Sequence, residues 1–152
     1  MTPQPLSQRV VTERLAWAEQ MLAAIRRLPL HNQQLFFADE RNIWTADSCL
    51  RRALEAVFDL GRHILAKQFG VAASEYKETA TQLQQHGVFD ATDAALLRLL
   101  AGYRNRLVHF YHEVSAAELY EICSQELGDI EKIIAAYRQW LLNHSDALDK
   151  TL

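Results

Sequence analysis

Leu50-Arg51-Arg52-Ala53-Leu54-Glu55-Ala56-Val57-Phe58-Asp59-Leu60-Gly61-Arg62-His63-Ile64-Leu65 is the stretch on which the fold class turns. Leu50, Leu54, Val57, Gly61 and Ile64 recur at intervals of three and four residues, the repeat that gathers side chains on one face of an α-helix. A half-buried strand would instead alternate apolar and polar residues, and this stretch does not. Arg52, Glu55, Asp59 and His63 follow the same spacing on the other side, where intrahelical ion pairs are expected. The stretch is therefore the middle of a long amphipathic helix, from about Glu40 to Gln68, closed by Gly70.

The flanking sequence has the same character. Three prolines and five glycines leave long runs rich in Ala, Leu, Glu, Gln and Arg, all good helix formers. A first helix is expected over about Ser7 to Arg27, ended by Pro29, and a short irregular or helical segment over His31 to Asp39. After Gly70, a short helix should start at an N-cap Ser74 and stop near Gly87. Asp90 opens the next, reaching to about Tyr111 or His112. Ser115-Ala116-Ala117-Glu118 reads as a capping box for the last, which runs to about Asn143 with a bend at Gly128. Short loops between four long helices and one short one predict an all-α fold, an antiparallel up-and-down bundle. It forms a single domain over residues 1–152, with a helical core of about 7–144 and short flexible tails.

Composition narrows the class. The chain has 152 residues, 49% hydrophobic and 23% charged, enough to bury a core without metal or disulfide support. Cys49 and Cys123 are far apart and form no C-x-x-C pattern, so a reducing, cytoplasmic setting is expected. No signal-like N-terminus is present, and no apolar run approaches the roughly 18 residues that span a bilayer. The net charge of −3 conceals an uneven distribution. Arg41, Arg51, Arg52, Arg62 and Lys67, then Arg98, Arg104 and Arg106, make the middle of the chain basic, while eight acids from Glu113 onward dominate the total. A local phosphate site is compatible with this pattern; broad duplex binding is not favoured.

The helix opened by Asp90 carries the side chains with chemistry. Leu96, Leu99, Leu100, Tyr103, Leu107 and Phe110 fall within an arc of roughly 100° and are expected to face the core. Arg104, Asn105, His109, Tyr111 and His112 fall on the remaining surface, with Arg98 earlier on the same flank. This set combines a guanidinium that binds phosphate bidentately with imidazoles that exchange protons near neutral pH. It holds no carboxylate pair and no glycine-rich phosphate loop, so phosphodiester cleavage without metal fits it better than metal-assisted hydrolysis. By residue type alone, a solvated basic helix end that offsets the macrodipole accounts for the same side chains.

Arg104-Asn105-x-x-x-His109-x-Tyr111 resembles the R-x-x-x-x-H-x-Y signature of HepT-like HEPN proteins, including the Asn after the Arg. The wording Gly102-Tyr103-Arg104-Asn105-Arg106-Leu107-Val108-His109-Phe110-Tyr111 and the segment Arg52 to Leu65 are also similar to that family, and the likeness runs from about Val11 to Ile134. The resemblance implies a five-helix bundle, a homodimer with two motif helices across a cleft, and a metal-independent endoribonuclease toxin acting on RNA without a cofactor. It also implies a minimal nucleotidyltransferase antitoxin of the MntA type. Arg104 and His109 would be catalytic, Asn105 and His112 supporting, and Tyr111 the hydroxyl that receives AMP. HEPN-like proteins also include non-catalytic partners of nucleotidyltransferases, and the intact Arg104/His109/Tyr111 set favours the enzyme over that role or a plain scaffold.

Other residues rank lower. His109 and His112 have a metal-compatible spacing, but no third ligand is evident beyond Glu113. Arg52, Asp59 and His63 either line the cleft or form a solvated salt-bridged face. Trp17, Trp44 and Trp140 are expected as core or interface aromatics. His31, His86 and His144 suggest only surface positions.

Overall fold

In the computed structural model, residues 2–109 and 115–151 are described, with the backbone alone at 108 and 109. The described elements are β1 (Leu6–Ser7), α1 (Gln8–Arg26), α2 (Gln33–Ala38), α3 (Glu40–Phe69), α4 (Tyr76–Gln85), α5 (Ala91–His109), α6 (Ala116–Gln125) and α7 (Leu127–Asn143). A 3-10 turn at Ser145–Ala147 leads into β2 (Leu148–Asp149).

Most helix starts are capped by a side chain. Ser7 Oγ accepts from Val10 N, Asn32 Oδ1 from Leu35 N, and Asp39 Oδ1 from Arg41 N. Asp90 Oδ1 accepts from Asp93 N at 2.8 Å, and Ser115 Oγ from Glu118 N at 3.1 Å. Each supplies an oxygen to an amide that has no partner inside its helix. Gly87, at φ 75°, closes α4 as a Schellman motif, with Val88 N donating to Leu83 O and Gly87 N to Gln84 O.

Cross-links between side chains give the direction of packing. Ser7 N donates to His63 Nε2 at 3.2 Å and Arg14 pairs with Asp59 at 3.8 Å, so α1 runs antiparallel to α3. Glu19 pairs with Arg138 and Arg26 with Glu131, so α7 is antiparallel to α1 as well. Leu50, Leu54, Val57, Gly61 and Ile64 are all buried, as their spacing predicts. Gly61 is needed for close approach, because a Cβ there would stand 2.6 Å from Tyr137 Oη. Tyr137 is fully buried and donates its hydroxyl to Val57 O at 2.7 Å. Cys49 and Cys123 are free and buried.

Several expectations need correction. The last helix is two, α6 and α7, broken at Glu126 (φ −121°, ψ 6°) rather than bent at Gly128. The Glu126 carboxylate takes the Tyr103 hydroxyl at 2.8 Å, a tertiary contact that local sequence does not announce. Ser74 is not the cap of α4; Glu75 holds that position, while the Ser74 amide and hydroxyl donate to the Glu78 carboxylate. In the capping box, the Glu118 carboxylate accepts from Arg106 Nη2 at 2.6 Å. On α5 the buried face is Ala94, Leu97, Leu100, Ala101 and Leu107, and Leu99 is 49% exposed. Glu55, Asp59 and His63 bond to other elements rather than along α3, and Arg52 is exposed. Of the three tryptophans expected in the core or at an interface, Trp140 is core, and Trp17 and Trp44 lie at the surface, a position compatible with an interface or with solvent. The terminal segments form a parallel pair, Leu6 with Leu148 and Ser7 with Asp149, where flexible tails were expected.

Candidate active site

The buried face of α5 fixes where Arg104 points. With Leu97, Leu100, Ala101 and Leu107 inside, a position one turn after Leu100 falls within the buried arc rather than opposite it. Arg104 accordingly leans toward α3 and α4, and its side chain is only 13% exposed. Its Nη2 lies 3.4 Å from Glu55 Oε1 on α3, and its guanidinium carbon lies 4.3 Å from the centre of the Tyr76 ring on α4. Ion pair and ring together restrict the guanidinium to one orientation. Arg104 Nε is buried and has no hydrogen-bond partner among the described residues.

The surroundings are more basic than acidic. Tyr76 packs on Phe58 at 4.7 Å and carries a second guanidinium, that of Arg62, 4.4 Å from its ring centre. Asp59, one turn from Glu55, pairs with Arg14; burial pushes its carboxyl up from the usual range, and the cations of Arg14 and Arg62 oppose that rise. Farther along α5, Tyr103 donates to Glu126, and burial first, then that carboxylate, push its phenol up to about 12. Arg98 Nη1 reaches Thr81 Oγ1 on α4 at 3.4 Å.

Of the residues singled out in the sequence, Arg104 and Asn105 are described in full, and Asn105 is half-buried beside Arg104. His109 is the last residue of α5, and its side chain lies outside the described atoms. Tyr111 and His112, with Glu113, lie outside the described residues. The outward-facing Arg104 expected from the helical wheel is thus corrected to a half-enclosed one. Glu55, Tyr76 and Arg62 join it without any local motif to mark them, because their meeting depends on how three helices cross. Among the described residues there is no metal-compatible cluster of His, Cys, Asp and Glu. Among the same residues no helix is long and apolar enough to cross a membrane. A groove of about 680 Å³ lies elsewhere, between α1 and α7, lined by Leu22, Arg26, Glu131, Ile134 and Arg138, and it shares no residue with the Arg104 cluster.

A half-enclosed guanidinium with spare N–H groups is suited to an anion. A phosphate oxygen brought to its outer N–H groups can compete with Glu55 for the charge.

The fold is similar to that of a tri-AMPylated Shewanella oneidensis HEPN toxin in complex with MNT antitoxin. The TM-score is 0.75 and the identity 22%, over 86% of this chain and 97% of that one. It is equally similar to a toxin–antitoxin crystal structure with AMP-PNP, at a TM-score of 0.75 and 21% identity over 84% and 97% of the chains. A cytosolic protein of unknown function from Bacillus subtilis, YutE, gives a TM-score of 0.74 and 18% identity over 93% and 95%. No curated protein matches the chain. At these identities the likeness speaks for the fold. The family of HepT-like ribonucleases matches residues 18–137, most of the sequence, so this chain belongs to that family.

Proposed function

We propose that the chain is an endoribonuclease toxin that cleaves RNA without a metal and is silenced by a nucleotidyltransferase partner. The observation that carries this reading is the constrained Arg104, ion-paired to Glu55 and laid on Tyr76, five residues before His109 on one helix. Family membership supports the reaction class, and the solved toxin–antitoxin relatives support the partner.

In the proposed reaction the ribose 2′-oxygen attacks the adjacent phosphorus and the bond from phosphorus to the 5′-oxygen breaks. The 2′-hydroxyl gives its proton to a base, and the leaving oxygen receives one from an acid. Products are a 2′,3′-cyclic phosphate and a 5′-hydroxyl. Arg104 holds the phosphate and stabilises the charge that grows on its oxygens. His109 is one proton carrier, and a second His109 across a homodimer is the other. Asn105, one turn before His109, orients that imidazole, and His112 is a further supporting residue. Tyr111 is the acceptor of AMP: its phenol oxygen attacks the α-phosphorus of ATP, pyrophosphate leaves and the phenolic proton is lost. The added phosphate then occupies the place of the substrate's.

Arg104→Ala and His109→Ala should each lower RNA cleavage by about 10²–10⁴-fold in the presence of chelator, with helical circular dichroism unchanged. Substantial cleavage by either variant rejects the assignment. Incubation with the cognate transferase and ATP should add AMP masses to Tyr111. Suppressed cleavage with Tyr111 unmodified would point to inhibition by complex formation instead.

A further inference from the structure

Tyr76 carries two cations, and only Arg104 belongs to the α5 motif. The guanidinium carbons of Arg104 and Arg62 lie 4.3 and 4.4 Å from the same ring centre. They are separated by at most the sum of those distances, a gap that neighbouring phosphates of one strand can bridge. Arg62 is anchored from its other side, where Nη2 donates to Ser74 O at 3.0 Å in the segment leading into α4. The ring beneath both is itself fixed against Phe58. Two cations from two helices are thereby held in a set relation before any ligand arrives.

The charges around this platform do not balance. Arg14, Arg62 and Arg104 face Glu55 and Asp59; Arg14 pairs with Asp59 at 3.8 Å, and Arg104 with Glu55 at 3.4 Å. Arg62 has no ion pair among the described residues. Its Nε, like that of Arg104, is buried and without a hydrogen-bond partner there. A guanidinium without a carboxylate partner gains from an anionic oxygen brought to its outer N–H groups. Two guanidinium groups on one ring, one of them without an ion pair among the described residues, suit an anionic, oxygen-rich ligand.

We propose that Arg62 is a second phosphate-binding residue, holding the nucleotide next to the scissile one while Arg104 holds the scissile phosphate. Tyr76 is the positioning residue for both. The inference rests on the ribonuclease reading and extends it: the RNA strand runs from the end of α5 across the α3–α4 face. Arg62 contributes to strand binding and not to bond breaking.

RNA binding by the full chain carrying His109→Ala, followed by fluorescence anisotropy over a salt series, reads Arg62 without turnover. Adding Arg62→Ala should weaken binding about tenfold and reduce the slope of log affinity against log salt by about one, the signature of one lost phosphate contact. Arg62→Gln keeps a donor for Ser74 O and should show the same two changes in a folded chain, whereas Arg62→Lys should restore the slope. In chains retaining His109, Arg62→Ala should act mainly on KM and Arg104→Ala mainly on kcat. Parental affinity and slope in both Arg62→Ala and Arg62→Gln overturn the proposal while leaving the ribonuclease reading intact. A parent chain that cleaves no RNA fails that reading, and this one with it.

Discussion

Val57 and Gly61 face α7 from one side of α3, while Glu55, Asp59 and Arg62 face α1, α4 and α5 from the same turns of the helix. On the first side the Tyr137 ring is sealed in, its hydroxyl donates to Val57 O, and the space for a Cβ at residue 61 is already taken. On the second side the Tyr76 ring is half-exposed, cations outnumber carboxylates, and two guanidinium Nε atoms lack partners. Both sides use a tyrosine at a helix crossing. One gives the hydroxyl proton a buried partner and leaves the ring no exposure, and the crossing serves the fold. The other leaves capacity unspent, and the crossing is the one at which RNA binding is proposed.

The contrast can be tested from the closed side first. Gly61→Ala would put a methyl 2.6 Å from Tyr137 Oη, 3.0 Å from Leu83 Cδ1 and 3.2 Å from Thr79 Cγ2. Overpacking of this kind costs about 1–3 kcal/mol, against about 1 kcal/mol gained from better helix propensity. A lower urea midpoint is expected, and an unchanged one would mean that α3 and α7 are not locked at this point. Tyr137→Phe should lose about 1 kcal/mol, for one buried hydrogen bond. Together the two substitutions should cost less than their sum, because removing the hydroxyl makes room for the methyl; strict additivity would disprove the contact.

The smallest effect is expected on the outer side, at the start of the chain. His63 Nε2 accepts from Ser7 N, which requires a neutral imidazole, and burial, then Lys67, hold its pKa below 6.5. The stability it carries is full above 6.5 and is lost as pH falls through the folded pKa. Urea midpoints should therefore decline slightly from about pH 7 to about pH 5, and His63→Gln, which keeps an acceptor, should flatten that decline. An equal decline in both chains would remove His63 from the account.

Helix limits were legible where local chemistry sets them. Ser7, Asp39, Asp90 and Ser115 carry cap oxygens, Gly70 and Gly87 take positive φ, and the three-four spacing of Leu50 to Ile64 leaves one way to bury them. What escaped depends on distant partners. Four leucines among residues 96–100 satisfy more than one helical phase, so spacing alone turns Leu99 inward, whereas the fold buries Leu97. Nothing near Glu126 announces a break, since its geometry accompanies a bond to Tyr103 on another helix. At the candidate site the spacing from Arg104 to His109 could be read directly. The pairing of Arg104 with Glu55, and its place above Tyr76, could not, because no residue within a turn of any of the three encodes the crossing.

The clasp between β1 and β2 has a mechanical corollary. Because the two strands run parallel, tension applied before Leu6 and after Asp149 acts along the ladder, and its bonds must rupture together rather than unzip one at a time. Leu6 is completely buried at that junction, so sliding the strands also drags an apolar side chain into water. A ladder only two residues long thus guards the bundle against being peeled from its ends.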